Sequence, residues 1–289
     1  MSRIAGRFRA LAEQGRKAVI PYMVAGDPEL SVTVPLMHAL VESGADILEL
    51  GVPFSDPMSE GPVIQLAHER ALAGGTSLRD VLRLLAEFRQ KDQDTPVLLM
   101  GYANPVEHMG YDAFADAAAT AGLDALLTVD LPPEEVTGVN EQLRRVGMDN
   151  IFLVAPTTPE DRVQRIAREA SGFIYYVSLK GVTGAGHLDA EDVARHVALI
   201  RQYSDLPVAV GFGIKDAESA RTVAAIADAV VVGSALVDAV ARAMETGADA
   251  EAASRAAIEL LTEIRDLMQA EAERPKIRAR VVSQPPSDE

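Results

Sequence analysis

Eight short β-rich runs, separated by stretches with apolar residues at helical spacing, predict an α/β protein folded as a closed (β/α)8 TIM barrel with extra N-terminal and C-terminal helices. Two further observations narrow the choice. The runs PVLLMGY, ALLTVDL and AVVVGSAL are almost continuously apolar, as parallel strands covered on both faces have to be. The chain's 289 residues also suit one such barrel, which takes about 250. An open doubly wound sheet, the competing architecture, usually carries a glycine-rich phosphate turn after its first strand; here that turn reads AGDPEL.

The N-terminal MSRIAGRFRALAEQGRKA carries Arg3, Arg7, Arg9, Arg16 and Lys17 without a long apolar run, which predicts an amphipathic helix and not a signal peptide. Strands are expected over 18–24, 46–51, 96–101, 125–129, 151–154, 173–178, 207–211 and 229–233. Helical patterns lie between them, among them SLRDVLRLLAEFRQ, EDVARHVALIRQY and DAESARTVAAIA. Ser77 with Asp80 three places on has the form of an N-cap, and Asp189 and Asp216 are candidate caps for later helices. The segment 250–273 predicts a long helix packed outside the barrel. A single domain over 1–273 and a flexible tail over 274–289 complete the expected layout.

With 43 acidic residues against 27 basic ones, the net charge of -16 repels nucleic acid and anionic membranes. No stretch approaches the roughly 20 apolar residues of a membrane span. The absence of cysteine excludes disulfides, thiolate metal sites and a cysteine nucleophile, and fits a cytoplasmic protein. His38, His68, His108, His187 and His196 show no ligand spacing, so no metal is expected. No lysine stands within a candidate strand, which removes the simplest Schiff-base aldolase mechanism.

The stretch DILELGVPFSDPMSEGPVIQ concentrates the chemistry. Period-two alternation points Glu49 the same way as Ile47, into whatever the strand encloses, while Leu48, Leu50 and Val52 point the other way. A carboxyl group in an apolar setting has a raised pKa and is suited to moving protons near neutral pH. The loop PFSDPMSEGP then sets Asp56 and Glu60 among prolines and a glycine, on a stiffened segment beside Glu49.

Active sites of such barrels lie at the C-terminal strand ends, with phosphate often held by the loops after the seventh and eighth strands. Here those ends read Gly211-Phe212-Gly213-Ile214 and Val232-Gly233-Ser234-Ala235, the second opening a helix. Glycines let backbone N–H groups reach phosphate oxygens, and the helix N-terminus favours negative charge. The glycine-bearing loop 180–186 after the sixth strand can close over the same group. Asp27, Tyr102, Asn104 and Asp130 stand just past strand ends; Tyr175 alternates with Tyr176, so that one of the two faces inward.

At these residues the sequence closely resembles the α subunit of tryptophan synthase. The matching runs are PYMVAGDPEL, ESGADILELGVPFSDPMSEGPVIQLAHERALAGGTSL, MGYANPV, DLPPEE, YYVSLKGVTGAG, PVAVGFGIKDAESA and AVVVGSALV, in the family's order from about residue 20 to 245. The resemblance implies a barrel that cleaves indole-3-glycerol phosphate, in a retro-aldol reaction, to indole and glyceraldehyde 3-phosphate. It implies no cofactor in this chain and a pyridoxal-phosphate β subunit as partner, usually in an αββα heterotetramer.

Position by position, the resemblance makes Glu49 the acid/base that protonates the indole carbon and takes up the proton of the glycerol hydroxyl. Gly184, Gly213, Gly233 and Ser234 match phosphate-binding positions, with Phe212 beside them. Tyr175 matches a tyrosine next to the catalytic carboxylate, and Thr183 a mobile loop that closes the site. Tyr22, Met100 and Leu153 match the walls of the indole pocket, and Tyr102 joins the expected substrate contacts. Pro53, Asp56 and Asn104 match the side facing the β subunit. One departure stands out: where the family reads SDPLADGP this chain reads SDPMSEGP, so that Glu60 replaces the Asp that polarises the indole nitrogen. The alternatives are a stand-alone indole-releasing lyase, a weakly catalytic barrel that activates a β subunit, and a different phosphate-binding barrel such as an epimerase.

Overall fold

Eight parallel strands alternate with helices and close on themselves, β1 pairing with both β2 and β8. The computed structural model describes residues 2–178, 189–211 and 213–272. In chain order the elements are α1 (Arg3–Glu13), β1 (Ala18–Val24), α2 (Leu30–Glu42), β2 (Leu48–Gly51), α3 (Pro62–Ala73), α4 (Leu78–Phe88), β3 (Val97–Gly101), α5 (Ala103–Met109), α6 (Tyr111–Ala121) and β4 (Ala125–Thr128). They continue with α7 (Thr137–Val146), β5 (Asp149–Val154), α8 (Glu160–Glu169), β6 (Ile174–Val177), α9 (Ala190–Arg201), β7 (Val208–Gly211), α10 (Ala217–Ala224), β8 (Ala229–Val232), α11 (Ser234–Glu245) and α12 (Ala250–Ala272). Every expected strand is present, and the open sheet is excluded by the β1–β8 pairing. Lys180, Thr183, Gly184, Gly186, His187, Phe212 and the tail 274–289 lie outside the described residues.

The strands sort their side chains as their period-two pattern requires. Leu48, Leu50 and Val52 join the aliphatic layer between barrel and helices, whereas Ile47 joins the barrel interior with Ile20, Leu98, Leu127 and Ala209. Helix α1 plugs the N-terminal end of the barrel: Ile4, Phe8 and Leu11 enter the interior cluster, and the Phe8 ring lies 5.8 Å from that of Phe173. The plug closes that end of the barrel interior. The caps at Ser77, Asp189 and Asp216 form as the sequence predicts, Ser77 and Asp216 each within a capping box. Helix α12 packs against α2, α10 and α11 on the outside.

A fourfold device ties the strands in pairs near the plugged end. The residue ahead of each even strand (Asp46, Asp124, Ser171 or Asp228) donates its backbone N–H to a carbonyl of the preceding odd strand, at Val19, Val97, Asn150 or Val208. Its side-chain oxygen then accepts the N–H of that same residue, at 3.1, 2.8, 3.0 and 3.0 Å. Two-bond clamps of this kind satisfy strand-end donors that would otherwise be buried without partners.

Candidate active site

Glu49 sits on β2 facing the barrel interior, 1% exposed, and neither carboxyl oxygen has a hydrogen-bond partner. Burial, and after it the neighbouring Glu60, pushes its pKa up to about 8. An unpaired buried carboxylate is expensive, so the group stays protonated at neutral pH and is available as an acid.

Glu60 reaches the same space from the loop after β2. The loop is held by a turn in which the Glu60 N–H donates to Pro57 O at 3.0 Å, and by the Gln65 side-chain amide donating to Glu60 O at 2.8 Å. Tyr102 backs it: its ring stacks on Phe54 with centroids 5.0 Å apart, and its hydroxyl accepts the Ser59 N–H at 3.1 Å. Burial lifts Glu60 to about 7. The extra methylene of Glu over Asp therefore still delivers a carboxyl group to the cavity, with the opening residues of α3 directly behind it.

Two tyrosines flank the pair, and each depends on a glycine. A Cβ at Gly51 would lie 2.4 Å from the Tyr22 hydroxyl oxygen, and one at Gly211 would lie 2.2 Å from that of Tyr175. Both rings thus lie across the next strand where only a glycine leaves room. Burial first, and the two carboxyl groups next, raise both phenols well above their ordinary pKa, so they remain donors. Tyr176, its alternate, packs outside against His196 with ring centroids 5.1 Å apart.

These groups line a cavity of about 350 Å³ at the open end of the barrel, together with Met100, Ile64, Ile214 and Val231. Gly213, Gly233 and Ser234 form its far rim. Gly213 has φ +76°, and Gly233 is the N-cap of α11 with no side chain capping the helix, so the first N–H groups of that helix are left for a ligand. Among the described residues no Lys or Arg lines the cavity. A phosphate there would be held by backbone amides, the Ser234 hydroxyl and the helix dipole.

Not every expected residue comes together. Leu153 is half-buried in the interior cluster but outside the cavity wall, and the Tyr102 hydroxyl accepts the Ser59 N–H of the acidic loop. Asp130 accepts the Ala103 N–H at 2.7 Å and so fixes the start of α5. Asp56 and Asn104 are exposed, while Pro53 is buried behind them. Asp27 is buried in a bidentate pair with Arg70 of α3, at 2.6 and 2.9 Å; desolvation still lifts its carboxyl above the ordinary range.

Sequence reasoning missed His68 and Ile64. Ile64, Ala67, His68 and Ala71 form the buried face of α3 at helical spacing, a signal present in PVIQLAHERALA. Among the described residues no group of three or more His, Asp or Glu side chains is placed to hold a metal, and no helix is long and apolar enough to cross a membrane.

A closed (β/α)8 barrel with two pKa-raised carboxyl groups inside and an uncapped helix N-terminus across from them belongs to the barrel enzymes that move protons on phosphate-bearing substrates. The sequence comparisons make this specific. The family model for the tryptophan synthase alpha chain matches residues 8–269. The tryptophan synthase alpha chain of Nitrosococcus oceani is 64% identical over 237 residues, covering 82% of this chain and 88% of that one. That of Thioalkalivibrio sulfidiphilus is 61% identical over 268 residues, covering 93% and 100%. Among solved structures, the tryptophan synthase subunit alpha of Legionella pneumophila superposes with a TM-score of 0.87 at 45% identity, covering 93% of this chain and 99% of that one. The chain belongs to the tryptophan synthase alpha chain family.

Proposed function

We propose that this cavity cleaves indole-3-glycerol phosphate, so that the chain acts as the α subunit of tryptophan synthase, a lyase of tryptophan synthesis. The observation that carries the reading is the pair of inward carboxyl groups at about 8 and about 7. At neutral pH such a pair holds one proton and one negative charge, which is what the retro-aldol step consumes.

Protonated Glu49 delivers its proton to the ring carbon that bears the glycerol chain. The resulting cation is spread onto the ring nitrogen, whose N–H donates to ionised Glu60. Glu49, now a carboxylate, takes the proton of the hydroxyl on the adjacent chain carbon. As that oxygen becomes the aldehyde carbonyl, the carbon–carbon bond breaks and its electron pair returns to the ring. Indole and glyceraldehyde 3-phosphate leave, and Glu49 has its proton back.

The rim of Gly213, Gly233 and Ser234 holds the phosphate, and Tyr22, Met100 and Ile64 form apolar walls for the ring. The exposed Asp56, Asn104 and Met58 lie on the face we assign to a β subunit, with Met58 80% exposed. Pyridoxal phosphate belongs to that partner, the assembly is αββα, and the compartment is the cytoplasm; the lack of cysteine agrees with the last.

Replacing Glu49 tests the assignment. Glu49→Gln is expected to lower indole release from indole-3-glycerol phosphate about a thousandfold, the scale of a lost general acid–base. Unchanged release in a steady-state assay with a β subunit present would refute it.

A further inference from the structure

One buried side chain beside the cavity has no part in the reaction as derived so far. His68 on α3 is 2% exposed and bridges two elements. Its Nδ1 lies 3.0 Å from the Phe54 backbone nitrogen, and its Nε2 lies 3.3 Å from the Tyr22 hydroxyl oxygen. A backbone N–H can only donate, so Nδ1 accepts and the ring's single proton sits on Nε2. Burial, which pushes the imidazole down to about 4, keeps the ring neutral at working pH. Nε2–H therefore donates to the Tyr22 oxygen, and the Tyr22 proton must leave in another direction. Among the described residues Tyr22 has no other hydrogen-bond partner. Its oxygen lies over Gly51, two places along the inward face of β2 from Glu49, and Tyr22 and Glu49 are register partners.

We propose that His68 is a positioning residue that aims the Tyr22 hydroxyl proton into the cavity, at the negative charge carried by Glu49 and Glu60. Because the Phe54 N–H that fixes its tautomer lies in the loop carrying Glu60, the phenol is aimed only when that loop is seated. The titratable groups facing the pair are Tyr22 from β1, Tyr102 from the end of β3 and Tyr175 from β6, with His68 behind Tyr22. Its catalytic consequence rests on the retro-aldol reading above; its geometry does not.

Two kinds of measurement test it. Long-range proton–nitrogen NMR of histidine-labelled protein is expected to show His68 as the Nε2–H tautomer, and an Nδ1–H tautomer would overturn the proposal. Carboxyl-carbon NMR titration of the pair should give a higher first ionisation in His68→Asn and in Tyr22→Phe, since each removes or turns away the hydroxyl dipole that the histidine directs at the anion. Unmoved titration in both would also overturn it. Neither measurement needs turnover, so a chain that failed to cleave indole-3-glycerol phosphate would defeat the functional reading while the geometry was still decided.

In the cleavage assay the two ring nitrogens separate. His68→Asn keeps an acceptor for Phe54 but loses the donor to Tyr22; His68→Gln keeps an N–H at the Nε2 position. His68→Asn and Tyr22→Phe are each expected to lower kcat about tenfold with KM little changed, the double variant no further, and His68→Gln to recover most of the rate. Effects of His68→Asn and Tyr22→Phe that multiply in the double variant would show that His68 does not act through the phenol.

Discussion

Glu49 is held in a state that costs the fold stability. In the unfolded chain the group titrates near 4.5, in the folded one near 8. Between those values the native state keeps a proton that the unfolded chain has released, so stability falls as pH rises through this window and levels off above it. Glu49→Gln removes the penalty and is expected to stabilise the protein by about 3 kcal/mol near pH 8, read by urea denaturation. Gain in stability with loss of turnover is the signature of a group strained for function. His68 works in the opposite sense. Its pKa drops from 6.5 to about 4 on folding, so its contribution is present above 6.5 and lost as pH falls through that interval. Activity needs Glu60 ionised and Glu49 protonated. The kcat/KM profile is expected to be a narrow bell whose acid limb lies near 7 and whose alkaline limb lies near 8, as macroscopic values of the pair.

Among the elements, β2 and the loop behind it decide where these groups point. Gly51 is needed because the Tyr22 hydroxyl occupies the place of its Cβ. Gly51→Ala should drive the phenol out of position and lower kcat about tenfold while leaving the barrel folded, as circular dichroism and a cleavage assay together would show. The loop turn at Pro57 to Glu60 fixes the backbone from which the longer side chain reaches inward. Glu60→Asp therefore withdraws the carboxyl from its working place, and kcat is expected to fall by one to two orders of magnitude; a rise would mean that the native Glu limits the chemistry. The orientation of Glu49 was legible in the sequence because strand alternation is a local property that a buried parallel strand preserves. The site of His68 was not, since its two partners come from β1 and from the loop after β2, and helical spacing alone says only that it is buried. For Tyr102 the sequence placed the residue but not its bond: a hydroxyl past a strand end points equally well at a ligand or at a loop, and here it accepts the Ser59 N–H.

At the scale of the whole molecule, eight strand runs and their helical intervals were enough to place a closed barrel, because apolar runs of that length fit no half-exposed sheet. What no run of sequence announces is how the ring is subdivided. The four clamps near α1 each join an odd strand to the even strand after it, and none joins an even strand to the next odd one. The clamps thus group the parallel ring into four two-stranded quarters, β1–β2, β3–β4, β5–β6 and β7–β8, which only the backbone ladder and single strand-end bonds join to one another. A protein built this way should come apart, and go back together, more readily at some places than at others. Two fragments divided after Gly147 each keep two whole clamps, whereas a division after Gly110 splits the clamp between Val97 and Asp124 across two chains. Co-expressed halves cut at the first position are expected to reassemble in higher yield and with more indole-releasing activity than halves cut at the second, so the strand-end clamps would prove to mark where the ring can be opened.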